Sequence, residues 1–333
     1  MTPAAPPPRE TVGLVIPLYN EEAVLPLLID AIEAFRQDHP EVQQIVLVDD
    51  GSTDATARLA RDLTAGKPGY VLIRFSRNFG HQLAITAGME AVRTDAAVIM
   101  DADLQDPFWV VTEMIARWRQ GYDVVYGVRK RREGETLFKR TATRLFYRLF
   151  QRLADVDAPL DTGDFRLVSR AVLDEYRRIQ EQQPYVRGLI AWLGFNQTGI
   201  EYVRPGRAAG QTKYPFRKLL QLAVDGITAF SDRPLRYAAR LGLVASALSM
   251  LGLVWVVVAK LVYGIPVSGW ASLMVTLFLF GGLQLFFLGV LGSYLARVFA
   301  EVRRRPRYII RERWHSDADA GASVPAPSRP AAR

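Results

Sequence analysis

The chain has 333 residues, half of them hydrophobic and 23% charged, with a formal net charge of +8. That length holds one large domain with added elements or two ordinary domains, and the mixture points to a soluble domain joined to an apolar segment. With no cysteine, disulfides, thiolate metal sites and cysteine nucleophiles are excluded, and the three histidines (His39, His81, His315) do not supply a histidine-rich zinc centre. Basic residues crowd into Arg129–Arg152 and Arg297–Arg313, the second cluster directly after an apolar stretch. Membrane and phosphate therefore account for the charge better than nucleic acid, which is not expected as a partner.

The opening MTPAAPPPRE (residues 1–10) reads as disordered and lacks the apolar core of a signal peptide, so nothing in it is expected to export the domain after it. Val12–Pro17 and Ile45–Asp49 are short β-branched runs that predict buried parallel strands. Between them Glu21–Gln37 has helical spacing, with Asn20 as N-cap and two acids in the first turn. The unit repeats: a helix over Asp54–Leu63, a strand over Tyr70–Phe75, a helix over Gln82–Val92, a strand over Ala96–Met100, a helix over Pro107–Gln120 and a strand over Asp123–Tyr126. This alternation predicts an α/β domain, residues 11–213, with a mainly parallel, Rossmann-like sheet and right-handed crossovers. Thr141–Leu153 and Ala171–Ile179 read as further helices and Thr198–Val203 as another strand. No G-x-G-x-x-G follows the first strand, which removes the main support for a dinucleotide fold.

Residues 214–239 form a basic amphipathic juxtamembrane segment, with Phe216, Leu219, Leu220, Ala223 and Ile227 at helical spacing; an interfacial helix and a packed surface helix share that pattern. The neighbour separates them. Leu241–Ala259 is uncharged for nineteen residues and Leu261–Ala296 for thirty-six, and a spanning helix needs about 20. Two transmembrane helices are predicted, 240–262 and 271–296, joined by the turn-rich YGIPVSG. Arg233, Arg236 and Arg240 precede the first, and Arg297, Arg303, Arg304, Arg305 and Arg307 follow the second, while the joining loop has no arginine. The positive-inside rule then puts the catalytic domain and both termini in the cytoplasm. Residues 297–333 read as a basic tail, disordered after about 314.

Ligands of such sheets sit beyond the carboxyl ends of the strands, where Pro17–Glu22, Asp49–Asp54 and Asp101–Asp106 fall. Asp101 and Asp103, spaced by one residue after a buried strand, can share a divalent cation that keeps places for water and substrate phosphates. A lone D-x-D equally fits a turn former and cap. The carboxylates of DDGSTD can accept bonds from a nucleobase or ribose, or simply cap the next helix. The tyrosine of PLYNEE offers a face for a base, and the segment also reads as a turn before a helix.

In this order and spacing, IPLYNEE, VLVDDGSTDAT, FSRNFGHQLAITAG and MDADLQDP resemble the family-2 glycosyltransferases of GT-A fold. The closer likeness is to polyprenyl-phosphate glycosyltransferases, including prophage-type undecaprenyl-phosphate glucosyltransferases, aminoarabinose transferases and dolichyl-phosphate mannose synthases. It continues through GDFRLVSR and RAAGQTKY into the two apolar segments. The resemblance implies that Pro17, Tyr19, Glu21, Val48 and Asp50 hold the nucleoside. It implies that Asp101, Asp103 and Gln105 hold Mg²⁺ or Mn²⁺ and, with Ala102, Arg207 and Lys213, the donor diphosphate. Arg129, Lys139 and Thr143 fall where such enzymes hold the acceptor phosphate, though Arg129–Arg132 taken alone also reads as a solvated charge run. Asp164 matches a catalytic aspartate, with Asp161 as an adjacent candidate and Asp103 serving through the metal. His81, in a loop before a helix with no His or Asp partner visible, is assigned no catalytic role. One departure stands out: relatives read D-L-Q-D-P-P-E, and this chain has Pro107-Phe108-Trp109.

The implied reaction is inverting transfer of a hexose from a nucleotide sugar, UDP-glucose first, to undecaprenyl or another polyprenyl phosphate for cell-envelope glycosylation. GDP-mannose and UDP-aminoarabinose are the alternative donors, and the resemblance implies a homotetramer. A processive polysaccharide synthase is disfavoured because Gln182–Trp192 reads QQPYVRGLIAW and lacks Q-x-x-R-W. A lipid-binding scaffold that kept the fold is disfavoured by the retained metal aspartates.

Overall fold

The computed structural model describes residues 11–129, 162–203, 233–263 and 269–316. In chain order these form β1 (Val12–Leu18), α1 (Leu25–Asp38), β2 (Val42–Asp49), α2 (Thr56–Thr64), β3 (Tyr70–Phe75), α3 (His81–Ala91), β4 (Ala96–Ile99), α4 (Phe108–Arg119) and β5 (Val124–Arg129). After them come β6 (Thr162–Ser169), α5 (Arg170–Arg178), α6 (Val186–Trp192), β7 (Gln197–Tyr202), α7 (Arg233–Tyr263), α8 (Trp270–Arg303) and β8 (Ile310–His315). Two compact units result: one holds the sheet and its helices, including the chain from Pro306 onward, and the other holds α7 and α8.

The sheet has eight strands in the order β7-β5-β6-β4-β1-β2-β3-β8. Strands β3, β2, β1 and β4 are mutually parallel, and β7 is parallel to β5. Strand β6 runs antiparallel between β4 and β5, and β8 runs antiparallel along β3. The predicted α/β sheet is thus present and mainly parallel, and each strand read from the sequence is found. Alternate residues of β1 divide the core. Leu14, Ile16 and Leu18 join Leu28 and Ile32 of α1 and Val110 and Met114 of α4 in one cluster. Val15 faces the other way, toward α3, where Gly88 allows close approach: a Cβ there would lie 2.2 Å from Val15 Cγ1.

Several details differ from the sequence reading. Asn20 does not cap α1, which begins at Leu25; it has φ 55° and its Oδ1 accepts the Thr53 N–H at 2.9 Å, tying the β1 loop to the β2 loop. Glu22 likewise reaches the Ala55 N–H at 2.9 Å. Strand β6 was not anticipated because Asp164 and Arg166 interrupt its apolar run, and β8 because RERWH carries charge at the edge of the sheet. The sheet unit is therefore discontinuous in sequence, closing with residues beyond α8 rather than ending at residue 213. Helices α7 and α8 extend beyond the expected 240–262 and 271–296, and both are long and apolar enough to cross a membrane by length and composition. The expected helix over Thr141–Leu153 and most of the 214–239 segment lie outside the described residues.

Candidate active site

The carboxyl ends of β1, β2 and β4 share one edge of the sheet because these strands are parallel. Strand β6 brings its beginning to the same edge by running the other way, with Arg166 opposite Ile99 of β4. Antiparallel pairing thus places Asp164 beside the Asp101–Asp106 turn, although 57 residues separate Asp164 from Asp106 in sequence.

At the β1 and β2 ends, Pro17 pairs with Val48 in the ladder, and Tyr19 stands exposed. Val48 is fully buried on the α3 side, so it presents backbone rather than side chain to this edge. The Glu21 N–H donates to Thr56 Oγ1 at 2.8 Å. Asp50 is buried and accepts the Phe79 N–H at 2.7 Å and the Gly80 N–H at 2.9 Å. Burial raises its pKa, against the pull of those two N–H groups. Asp50 therefore clamps the RNFG loop that leads into α3. Gly51 makes the turn possible: its φ is +70°, and a Cβ there would lie 2.3 Å from the Arg77 carbonyl carbon.

At the β4 end, the Asp101 N–H donates to Asp106 Oδ2 at 3.2 Å and the Gln105 N–H to Asp103 Oδ1 at 3.2 Å, which closes the turn. Ala102, Gln105 and Asp106 are buried, while Asp101 and Asp103 are partly exposed. Asp106 Oδ1 accepts the Tyr202 hydroxyl at 3.0 Å, and the Tyr202 hydroxyl oxygen in turn accepts the Arg129 Nε–H at 3.3 Å. Burial and then Asp106 push the Tyr202 phenol up to about 12, so it stays a neutral donor. The Arg129 guanidinium lies over Gly163, whose Cβ would fall 2.5 Å from Nη2. Burial works to lower the Arg129 pKa, but the Tyr202 bond and the charges of Asp106 and Asp101 raise it overall. Arg129 is thus a built part of the site rather than a member of a solvated run.

Asp164 is the most heavily engaged group. Its Oδ2 lies 3.2 Å from His81 Nε2 and accepts Gln82 Nε2 at 3.1 Å, while its Oδ1 lies 3.0 Å from Arg187 Nε. Burial alone would raise its pKa; the His81 hydrogen bond and the Arg187 charge overcome that and hold it well below the usual carboxylate range. His81 also lies 3.7 Å from Asp101 Oδ1. Burial opposes its charged form, yet Asp164 and Asp101 raise its pKa overall. The expectation that His81 lacks an acidic partner is therefore corrected: the partner arrives on β6, 83 residues later. Arg166, almost fully buried behind, donates to the Gly163 carbonyl at 3.0 Å, and burial brings its pKa down to about 10.

Asp101, Asp103, Asp50, Asp164 and Arg129 all have described places, whereas Asp161, Lys139, Thr143, Arg207 and Lys213 lie outside the described residues. His81, Gln82, Asp106, Arg166, Arg187 and Tyr202 were missed by the sequence reading. Among the described residues, no three His, Cys, Asp or Glu side chains converge as a closed metal cage. Two part-exposed carboxylates, with Gln105 buried beside them, instead fit a cation that takes one or two protein carboxylates and completes its shell with water and substrate phosphate.

Residues 14–177 match the family model described as Glycosyl transferase family 2. The chain is 45% identical over 300 residues to YkcC, an uncharacterized glycosyltransferase of Bacillus subtilis, covering 90% of this chain and 93% of the relative. It is 37% identical to the SfII prophage-derived bactoprenol glucosyl transferase of Shigella flexneri, over 90% of this chain and 97% of the relative. Among solved structures, the mannosyl-3-phosphoglycerate synthase of Rubrobacter xylanophilus superposes with a TM-score of 0.44 at 20% identity, over 69% of this chain and 75% of the other.

Proposed function

The chain belongs to glycosyl transferase family 2 and is a glycosyltransferase, and on that premise we propose that it moves glucose from UDP-glucose to undecaprenyl phosphate with inversion at the anomeric carbon. The observation that carries this reading is the 37% identity to a bactoprenol glucosyl transferase along 97% of that relative's length, in a chain with two helices long and apolar enough to cross a membrane.

In this reading the nucleoside lies over the β1 and β2 ends, against Tyr19, Glu21 and the Asp50 loop. Breaking the sugar–diphosphate bond develops negative charge on the leaving group. A divalent cation held by Asp101, Asp103 and Gln105 would neutralise that charge, and the positive charges of Arg207 and Lys213 would offset it further where it forms. The acceptor is a phosphate monoester with a second pKa of about 6, mostly dianionic at neutral pH, so a strong general base is not required. Arg129, held over Gly163 by Tyr202, receives that phosphate with Lys139 and Thr143. Asp164 orients partners rather than taking a proton, in keeping with its depressed pKa. The apolar helices seat the chain in the cytoplasmic membrane, and the arginines flanking them favour a cytoplasmic catalytic unit.

The test offers the full chain in detergent undecaprenyl phosphate, Mg²⁺ or Mn²⁺, and labelled UDP-glucose, UDP-aminoarabinose or GDP-mannose. Labelled lipid should form from UDP-glucose, vanish with EDTA and return with added cation. No labelled lipid from any donor refutes the proposal.

A further inference from the structure

The Asp164 carboxylate is surrounded in an unusual way. Both oxygens have polar neighbours: Oδ2 is hydrogen-bonded to His81 and Gln82, and Oδ1 forms an ion pair with Arg187, whose Nε lies 3.0 Å away. Gln82 does more than fill a place. Its Oε1 accepts the Val186 N–H at 3.0 Å, so one amide ties α3, β6 and the start of α6 together. Arg187, the next residue, is thereby held in register with His81. The exposures are graded: the Asp164 side chain is 11% exposed, Arg187 32% and His81 45%. The more exposed members of the group are therefore the His81 imidazole, which also lies 3.7 Å from Asp101, and the Arg187 guanidinium, with their shared carboxylate more deeply buried. Arg166 adds a further buried positive charge behind it.

We propose that His81 and Arg187, seated on the two oxygens of Asp164, form a phosphate-binding pair, with Asp164 as its anchor. The guanidinium carries five N–H donors and lies against Asp164 through its Nε side. The anchor holds both cationic side chains in one orientation before a ligand arrives, which lowers the ordering cost of binding. The chemistry fits a phosphate monoester or a diphosphate oxygen. The inference rests on the proposed lipid-phosphate acceptor and nucleotide-diphosphate donor, which are its two candidate sources.

The test measures equilibrium binding of farnesyl phosphate, farnesol and UDP, with Mg²⁺ present, to the full chain in detergent. Wild type, Arg187→Gln, Arg187→Lys and His81→Gln are compared, with thermal unfolding as the control for folding. Arg187→Gln should weaken one phosphate ligand by about 10- to 100-fold, as expected for loss of a charged hydrogen bond. Arg187→Lys should recover part of that loss, His81→Gln should show a smaller one, and farnesol binding should not change. A loss confined to farnesyl phosphate identifies the acceptor as the ligand; a loss confined to UDP identifies the donor diphosphate. Unchanged affinity for both in folded variants, with only kcat reduced, overturns the pair and leaves Arg187 as a support for Asp164. If Arg187→Gln does not fold, the affinities of Arg187→Lys and His81→Gln decide the matter in the same way. Sugar transfer by the wild type is scored separately. Arg187-dependent phosphate binding without transfer sinks the functional reading alone, and transfer with unchanged affinities sinks the pair alone.

Discussion

The contact between α3 and β1 gives a sharp test, because α3 begins with His81 and Gln82. A methyl group on Gly88 would lie 2.2 Å from Val15 Cγ1, against a normal carbon–carbon contact of about 3.5 Å. The helix or the strand must therefore yield by roughly 1.3 Å. Overpacking of this kind costs about 1–3 kcal/mol, offset by the roughly 1 kcal/mol that alanine gains over glycine inside a helix. Gly88→Ala should thus be destabilised by up to about 2 kcal/mol, which at about 2–4 °C per kcal/mol lowers the melting temperature by up to roughly 8 °C. Displacing α3 by even part of that distance moves the groups on Asp164, and a misplacement of about 1 Å can cost on the order of 100-fold in rate. Val15→Ala removes the offending methyl and leaves Cβ at 3.4 Å, an ordinary contact. The assay is thermal unfolding in detergent of both single variants and the double variant, alongside sugar transfer. The double variant should be more stable than the sum of the singles by about 1 kcal/mol. Strictly additive effects in the double variant refute the argument.

Three further outcomes are expected of the site. Asp103→Ala should abolish transfer while Asp164→Asn retains measurable activity; equal abolition at every pH would identify Asp164 as an obligatory base. The folded pKa of Asp164 is depressed, so its contribution to stability is full above the unfolded carboxylate value of about 3.9 and is lost as pH falls through the folded one. The stability gap between wild type and Asp164→Asn should accordingly be full near pH 5, where His81 is charged as well, and narrow below about 4, as read by denaturant melts; a gap that widens below about pH 4 contradicts the assignment. Tyr202→Phe deprives Asp106 and Arg129 of their shared hydroxyl, at a cost of about 1–3 kcal/mol in stability. The KM for lipid phosphate should rise while that for the nucleotide sugar holds, and the reverse pattern would move Arg129 to the donor side.

The order of strands and helices through residue 129, and the two long apolar helices, were legible in the chain alone. Buried parallel strands need continuous β-branched runs, and a membrane helix needs length without charge; both are local properties. The acidic turns at Asp50 and Asp101–Asp106 were legible for the same reason, since they directly follow strand ends. The surroundings of Asp164 were not. Its partners His81, Gln82 and Arg187 lie on α3 and α6, and only the antiparallel insertion of β6 between β4 and β5 brings them to it. Strand β8 was hidden in the same way: a short, charged segment beyond the second apolar helix gains its pairing from the exposed edge of β3. Periodicity reports what each segment buries, whereas strand insertion and edge pairing depend on which distant segment supplies the hydrogen bonds. That choice, made only in the folded chain, decides which charges stand beside the Asp101–Asp106 turn.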